Sequence, residues 1–257
     1  MATEYVRFSP NAFLNSFNAK LEQPVRQHLK NVYACLAMST MSAALGAAVH
    51  LFTNIMQAGF LSAIGALVFF FLLMNTPDDN GKSMTTRVGY LLGFTFLTGV
   101  GLGPLLEHVI LVEPSIIITA FVATSTVFVS FSAASMLSER GRWLYLGGTL
   151  MTMLTTLMVL SLANIFFGAM WIYQTQLYLG LLAMCGFVLY DTQMIIEKRR
   201  LGSRDFVAHS LDLFVDFIGI FRRLLIILTQ RVSQYRYFIF NIVQIHCRIR
   251  KQYFNQC

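Results

Sequence analysis

Six apolar runs, each about as long as a bilayer is thick, dictate what this chain can fold into. They lie at approximately Asn31 to Leu51, Ile55 to Met74, Val88 to Ile110, Ser115 to Leu137, Trp143 to Leu162 and Phe167 to Tyr190. A helix needs about twenty residues to cross a hydrocarbon core of about 30 Å, and only helices or closed barrels satisfy their own backbone there. The interruptions are short and turn-like: Thr53-Asn54, the polar stretch Asn75 to Arg87, Glu113-Pro114, Ser138 to Arg142 and Ala163-Asn164. With 56% of 257 residues hydrophobic and 12% charged, the composition excludes disorder, a disulfide-stapled module and an ordinary water-soluble enzyme. No leader pattern opens the sequence, so the first apolar run is expected to target and anchor the chain.

A seventh run, Ser210 to Leu228, is of another kind because it carries Asp212, Asp216, Arg222 and Arg223. Such a segment is tolerated at membrane depth only when other helices surround it or when it enters and leaves on one side. The expected fold is therefore an all-α, polytopic membrane bundle of six transmembrane helices around a central polar seventh, which either spans or re-enters. Three parts follow: an N-terminal segment, 1–29; a transmembrane domain, 30–230; and a basic aromatic tail, 231–257.

Charge sets the orientation. Basic residues fall before the first run (Arg7, Lys20, Arg26, Lys30) and after the second (Lys82, Arg87), the fourth (Arg140, Arg142) and the sixth (Lys198, Arg199, Arg200, Arg204), whereas the alternate loops have none. That asymmetry places the N-terminus in the cytosol. It also explains the formal charge of +7 without nucleic acid. On the same rule the basic tail is expected on the cytosolic side, which favours a re-entrant seventh segment. Cys35, Cys185, Cys247 and Cys257 have neither disulfide-framework nor metal spacing.

Small residues permit close helix packing in lipid, and Gly89 with Gly93, then Gly99 with Gly103, give two such spacings in the third run. Pro104 follows as a kink site. Among ionisable residues, His50, Glu107, His108 and His209 stand near run ends and are expected to reach water. Asp191, Asp212 and Asp216 stand within apolar surroundings. Asp212 and Asp216 are four apart, on one helix face, and Gly219 and Arg223 extend the stripe. Such a face turns toward the bundle or a wet cavity, opposite Asp191. Two carboxylates held close in a low dielectric share a proton or recruit a cation. Oxygen ligands suit a hard ion such as calcium, and an incomplete site at Asp191 and Asp216 binds it weakly and transiently. The plainer reading is an aspartate paired with Arg223 that locks the bundle.

Several stretches, in order, resemble the Bax inhibitor-1 family: Gln57-Ala-Gly-Phe-Leu-Ser-Ala63, Gly93 to Pro104, Tyr145-Leu-Gly-Gly148, Cys185 to Gln193 and Leu211-Asp-Leu-Phe-Val-Asp-Phe217. The resemblance spans about Lys30 to Gln230. It implies a multi-pass endoplasmic reticulum protein that suppresses cell death and lets calcium leak in a proton-dependent way, with Asp191 and Asp216 as pH sensor and Asp212 at the first position of the second motif. It calls for no cofactor, calcium being the transported ion. It implies the lipid bilayer, calcium ions, anti-apoptotic Bcl-2-type proteins and calcium-release channels as partners.

The chain departs from the family in its tail, which mixes Tyr235, Tyr237, Phe238, Phe240 and Tyr253 with arginines where family tails are short and lysine-rich. Such a segment suits the interface of an anionic membrane. An intramembrane aspartyl protease is a distant alternative, since Asp216 lacks the Gly-x-Gly that precedes that family's second aspartate. A membrane adaptor that modulates Bcl-2-type proteins and calcium channels without conducting ions is the nearer one.

Overall fold

The computed structural model describes residues 21–53, 59–77 and 83–254, with side chains through residue 236. Expectations for residues 1–20, for Gln57 and for the tail side chains after 236 lie outside the described residues. All regular structure among them is helical: α1 (Gln23–Phe52), α2 (Phe60–Asn75), α3 (Met84–Val112), α4 (Ser115–Leu137), α5 (Leu146–Phe167), α6 (Met170–Arg200) and α7 (Phe206–Phe254). Five of these, α1 and α3 to α6, are long and apolar enough to cross a membrane. The second expected span is shorter than its apolar run: α2 has 16 residues, about 24 Å of helix.

Helices outrun hydrophobicity wherever their ends are satisfied. Pro24 sits in the first turn of α1, two turns before the apolar run begins, where its missing N–H costs nothing. Pro104 lies inside α3 without ending it. α6 continues to Arg200, about three turns past Tyr190. Gly202, at φ 102°, then reverses the chain in a conformation other residues resist. Asp205 caps the next helix, its carboxylate accepting the Ala208 N–H at 3.0 Å.

The outer surface is apolar. Phe52, Leu111 and Phe166 are 85%, 83% and 86% exposed, and α5 buries only Leu150. Contiguous surface of this kind belongs against hydrocarbon. Inside, α1 and α3 approach until only glycine fits: a Cβ at Gly46 would collide with the Phe96 carbonyl, one at Gly99 with the Ala43 carbonyl and one at Gly103 with the His50 ring. Gly93 accommodates the Phe69 ring from α2. Gly89, expected to pack like the other three, meets nothing within 4 Å among the described residues, because it lies on the exposed face of α3, turned away from buried Arg87 and Leu91.

α7 runs through the interior. It packs closely against α1, α3, α4 and α6, while α2 lies on α3 and α5 on α6, so four helices and not six enclose it among the described residues. Leu213, Phe214, Ile220 and Leu225 are fully buried. Phe214 meets Phe94 of α3, and Phe217 meets Phe121 and Phe128 of α4, edge to face with centroids 6.2, 6.0 and 5.6 Å apart.

Its two anchorages show its course. Near its start, Asp205 pairs with Arg87, in the first turn of α3, at 2.6 Å. Later, Arg236 donates to the Val112 carbonyl at 2.9 Å and lies 3.6 Å from Glu113, at the far end of α3. α7 thus passes the bundle from end to end. This corrects the re-entrant alternative: after Gly219 the described helix contains neither Gly nor Pro, nothing turns it back, and no break marks residue 231. At 49 residues it is about 74 Å long.

Gly99→Ala is expected to destabilise the protein by about 1–3 kcal/mol, read as a lower thermal unfolding midpoint in detergent, with Gly89→Ala unchanged. In a protease-protection assay on sealed membranes, termini tagged separately are expected to be cut from opposite sides; digestion of both from one side would contradict the course of α7.

Candidate functional site

The α6–α7 hairpin sets two acidic helix faces against each other. Asp191, near the middle of the second half of α6, and Asp216, about three turns into α7, meet with their carboxyl groups in hydrogen-bonding contact. A hydrogen bond between two carboxyl groups needs one proton between them. Asp212, one turn before Asp216, acts on both through space. Exposure falls along the series: Asp212 is exposed, Asp191 half-buried and Asp216 4% exposed. The second carboxylate oxygen of Asp216, Oδ2, is buried without a hydrogen-bond partner among the described residues. The three aspartates therefore run from an exposed position to a buried one, with Lys198 the cation that acts on Asp191 and Asp212.

Arg223 does not join them. Its guanidinium donates back one turn to the Gly219 carbonyl at 3.1 Å and lies on Gly180 of α6, where any side chain would collide with it. No ion pair links it to an aspartate among the described residues.

Hydroxyl groups line the other side of the site. Ser135 donates to the Leu189 carbonyl at 2.7 Å, Ser132 lies 3.5 Å from Thr192, and the Tyr33 hydroxyl of α1 reaches toward both Ser132 and Thr192. Gln193, next in sequence, accepts from the Trp143 N–H at 2.5 Å and donates to Ser138 and to the Glu139 carbonyl, each at 2.8 Å. That glutamine lines a cleft of about 250 Å³ with Glu139, Arg140, Glu197 and Arg200 at the same end of the bundle. Tyr33, Ser132 and Ser135 escaped the sequence reading, which singled out charges; their only signal was polar residues recurring on one side of the apolar runs.

The same end holds a buried histidine pair. His28 of α1 and His209 of α7 face each other with Nε2 and Nδ1 2.9 Å apart, 5% and 3% exposed. His209 was expected to reach water; the early start of α1 covers it. His50 is likewise buried, at 9%, and contacts the exposed Glu107 at 3.2 Å, while His108 is exposed as expected. Among the described residues no three His, Cys, Asp or Glu side chains group closely enough to hold a metal ion. A cation at Asp191 and Asp216 would complete its shell with water and carbonyl oxygens.

Asp205 lies between α6 and α7. Burial acts to raise its pKa, but the Arg87 hydrogen bond, the Ala208 N–H and the neighbouring positive charge outweigh burial and hold it below the ordinary value.

Comparison with known proteins covers most of the chain. The family described as "Inhibitor of apoptosis-promoting Bax1" matches residues 25–233. Bax inhibitor 1 of Homo sapiens is 50% identical over 203 residues, 79% of this chain and 85% of that protein. Bax inhibitor 1 of Drosophila melanogaster is 41% identical over 227 residues, 88% and 92% of the two chains, and that of Arabidopsis thaliana 43% over 210 residues, 81% and 83%.

Because the Asp205 carboxyl is depressed, its contribution is present above the unfolded value of about 3.9 and is lost as pH falls through the lower folded value. Asp205→Asn is expected to cost about 2 kcal/mol at neutral pH and nearly nothing at pH values low enough to protonate it, measured by thermal unfolding across pH.

Proposed function

The chain belongs to the Bax inhibitor 1 family, and from that premise we propose that it is a multi-pass membrane protein of the endoplasmic reticulum that restrains apoptosis and passes calcium through a proton-sensitive path gated by Asp191 and Asp216. Its N-terminus faces the cytosol and its helices gather around α7. The observation that carries the reading is the Asp191–Asp216 contact: two carboxyl groups from different helices, one of them buried, with an oxygen of Asp216 that lacks a hydrogen-bond partner and no arginine or lysine bound to either among the described residues.

With a proton between them, the pair ties α6 to α7. When the proton leaves, two negative charges repel in a medium that screens them poorly. The pair then separates or takes up a cation. Calcium fits because its ligands are hard oxygens, and two carboxylates completed by water hold it loosely enough to release it. Asp212, exposed on the same face, draws cations toward the buried pair. A site with only two protein carboxylates is a place of passage and not of storage.

Restraint of apoptosis then follows from the reduced calcium load of the store or from contact with anti-apoptotic Bcl-2-type proteins and calcium-release channels. An adaptor that moves no ions would use only the second route. The two separate in liposomes containing purified protein, by following calcium flux across pH. The wild type is expected to leak calcium with a marked pH dependence. Asp191→Asn and Asp216→Asn, which keep the shape and remove one titrating group, are each expected to flatten that dependence. Flux that is absent, or unaltered in both variants, would favour the adaptor.

A further inference from the structure

Between the aspartates and the far end of the bundle, the α6–α7 seam contains a positive charge that the proposed function does not use. Arg223 lies 18 residues after Asp205 and 13 before Arg236, so about 27 Å and 20 Å along the helix from the two ends. That is well inside the span between the two anchorages, and an arginine at membrane depth is costly and by default functional. Its guanidinium is half-buried, with Gly219 as its acceptor and no carboxylate partner among the described residues. The sequence provides the seat: Gly180 on α6 is a glycine without which the guanidinium would not fit.

The residues on either side form a continuous sequence of levels. On α7, Asp212, Asp216, Gly219, Arg223, Gln230 and Gln234 recur on one face at steps of three, four or seven. On α6 the antiparallel partner levels are Asp191 against Asp216, Met184 against Gly219, Gly180 against Arg223 and Tyr178 against Arg231. Beyond Arg223 the seam opens into a polar cleft of about 220 Å³ lined by Gln174, Tyr178, Gln230, Arg231 and Gln234. Carboxylates stand at one end of the seam and amides at the other. Between them lie the Met184 thioether, seated on Gly219, and the Arg223 guanidinium, seated on Gly180.

We propose that the α6–α7 seam is the cation path and that Met184 and Arg223 form its barrier, Met184 by filling the space over Gly219 and Arg223 by its charge. This rests on the reading of Asp191 and Asp216 as a cation site and names what lies downstream of it. A fixed positive charge opposes a cation in proportion to the ion's charge, so the barrier for calcium is twice that for potassium. Removing the charge therefore multiplies calcium flux by the square of the factor for potassium. For a charge about 10 Å from the ion at an effective dielectric constant of about 20, these factors are about seventeenfold for potassium and about three-hundredfold for calcium.

The test compares potassium and calcium flux in liposomes carrying purified wild type, Arg223→Gln, Arg223→Lys, Met184→Ala and, as control, Arg222→Gln, which removes the same charge from an exposed neighbour. Arg223→Gln is expected to raise both fluxes with the calcium factor near the square of the potassium factor, and Arg223→Lys and Arg222→Gln to stay near wild type. Met184→Ala is expected to raise both ions by one common factor, and it keeps the barrier testable should Arg223→Gln fail to fold. Equal gains for both ions in Arg223→Gln, or no gain in either Arg223→Gln or Met184→Ala, overturns the barrier. If Asp216→Asn still alters flux in that case, the aspartate site stands without it; if no protein conducts, wild type included, both readings fall together.

Discussion

A helix that carries Asp212, Asp216, Arg222 and Arg223 within twelve residues cannot face hydrocarbon, and the rest of the architecture answers that constraint. α7 needs company on nearly every side, and α1, α3, α4 and α6 provide it. Those helices can close around it because α1 and α3 press backbone to backbone at Gly46 and Gly99, and at Gly103 with only the His50 ring between them. The phenylalanines of α3 and α4 then fill the space against Phe214 and Phe217. Apolar packing fixes the position of α7, and the polar groups are held in place by it. In lipid, where burial of apolar surface adds no force between helices, this fit is the main source of cohesion.

The elements that depend on periodicity and length were legible in the sequence. The apolar runs reappear as α1 and α3 to α6, displaced mainly at their ends, because hydropathy marks where lipid begins and not where hydrogen bonding stops. The ends misled in a definite way. Since α1 begins at Gln23 and not at Asn31, its first turns cover the start of α7, and His209 is sealed against His28 where water was expected. The course of α7 was misjudged because the charge of the tail was weighed above the chain's own stiffness: with no Gly or Pro after Gly219, the helix continues through the bundle.

The site divides along a similar line. Asp191 and Asp216 stand out as carboxylates in apolar surroundings, and the structure brings them together. Tyr33, Ser132 and Thr192 do not stand out, since hydroxyls in membrane helices commonly bond to their own preceding turn, as Thr124 does to Ala120 at 2.7 Å. Only the meeting of three helices turns them into a lining. The seat of Arg223 was least legible of all: a glycine in an apolar run gives no sign that a guanidinium from another helix will lie on it.

The arrangement of charge along α7 has a consequence for how such a protein can be both closed and responsive. A neutral, wholly apolar seam would hold cations out permanently, and a continuous polar one would be an open leak. Here the acidic groups lie toward one end, graded from exposed Asp212 to buried Asp216, which under the proposed function would concentrate ions where a proton can compete with them. Arg223 lies two turns deeper, too far to neutralise the pair and held away from it by its bond to Gly219. Had it reached Asp216, the ion pair would have kept that carboxylate charged over the physiological range and removed its sensitivity to protons. On the proposed function, keeping the guanidinium on Gly180 would leave the carboxyl pair free to respond to pH, while the charge itself would still face the path that a released cation has to take.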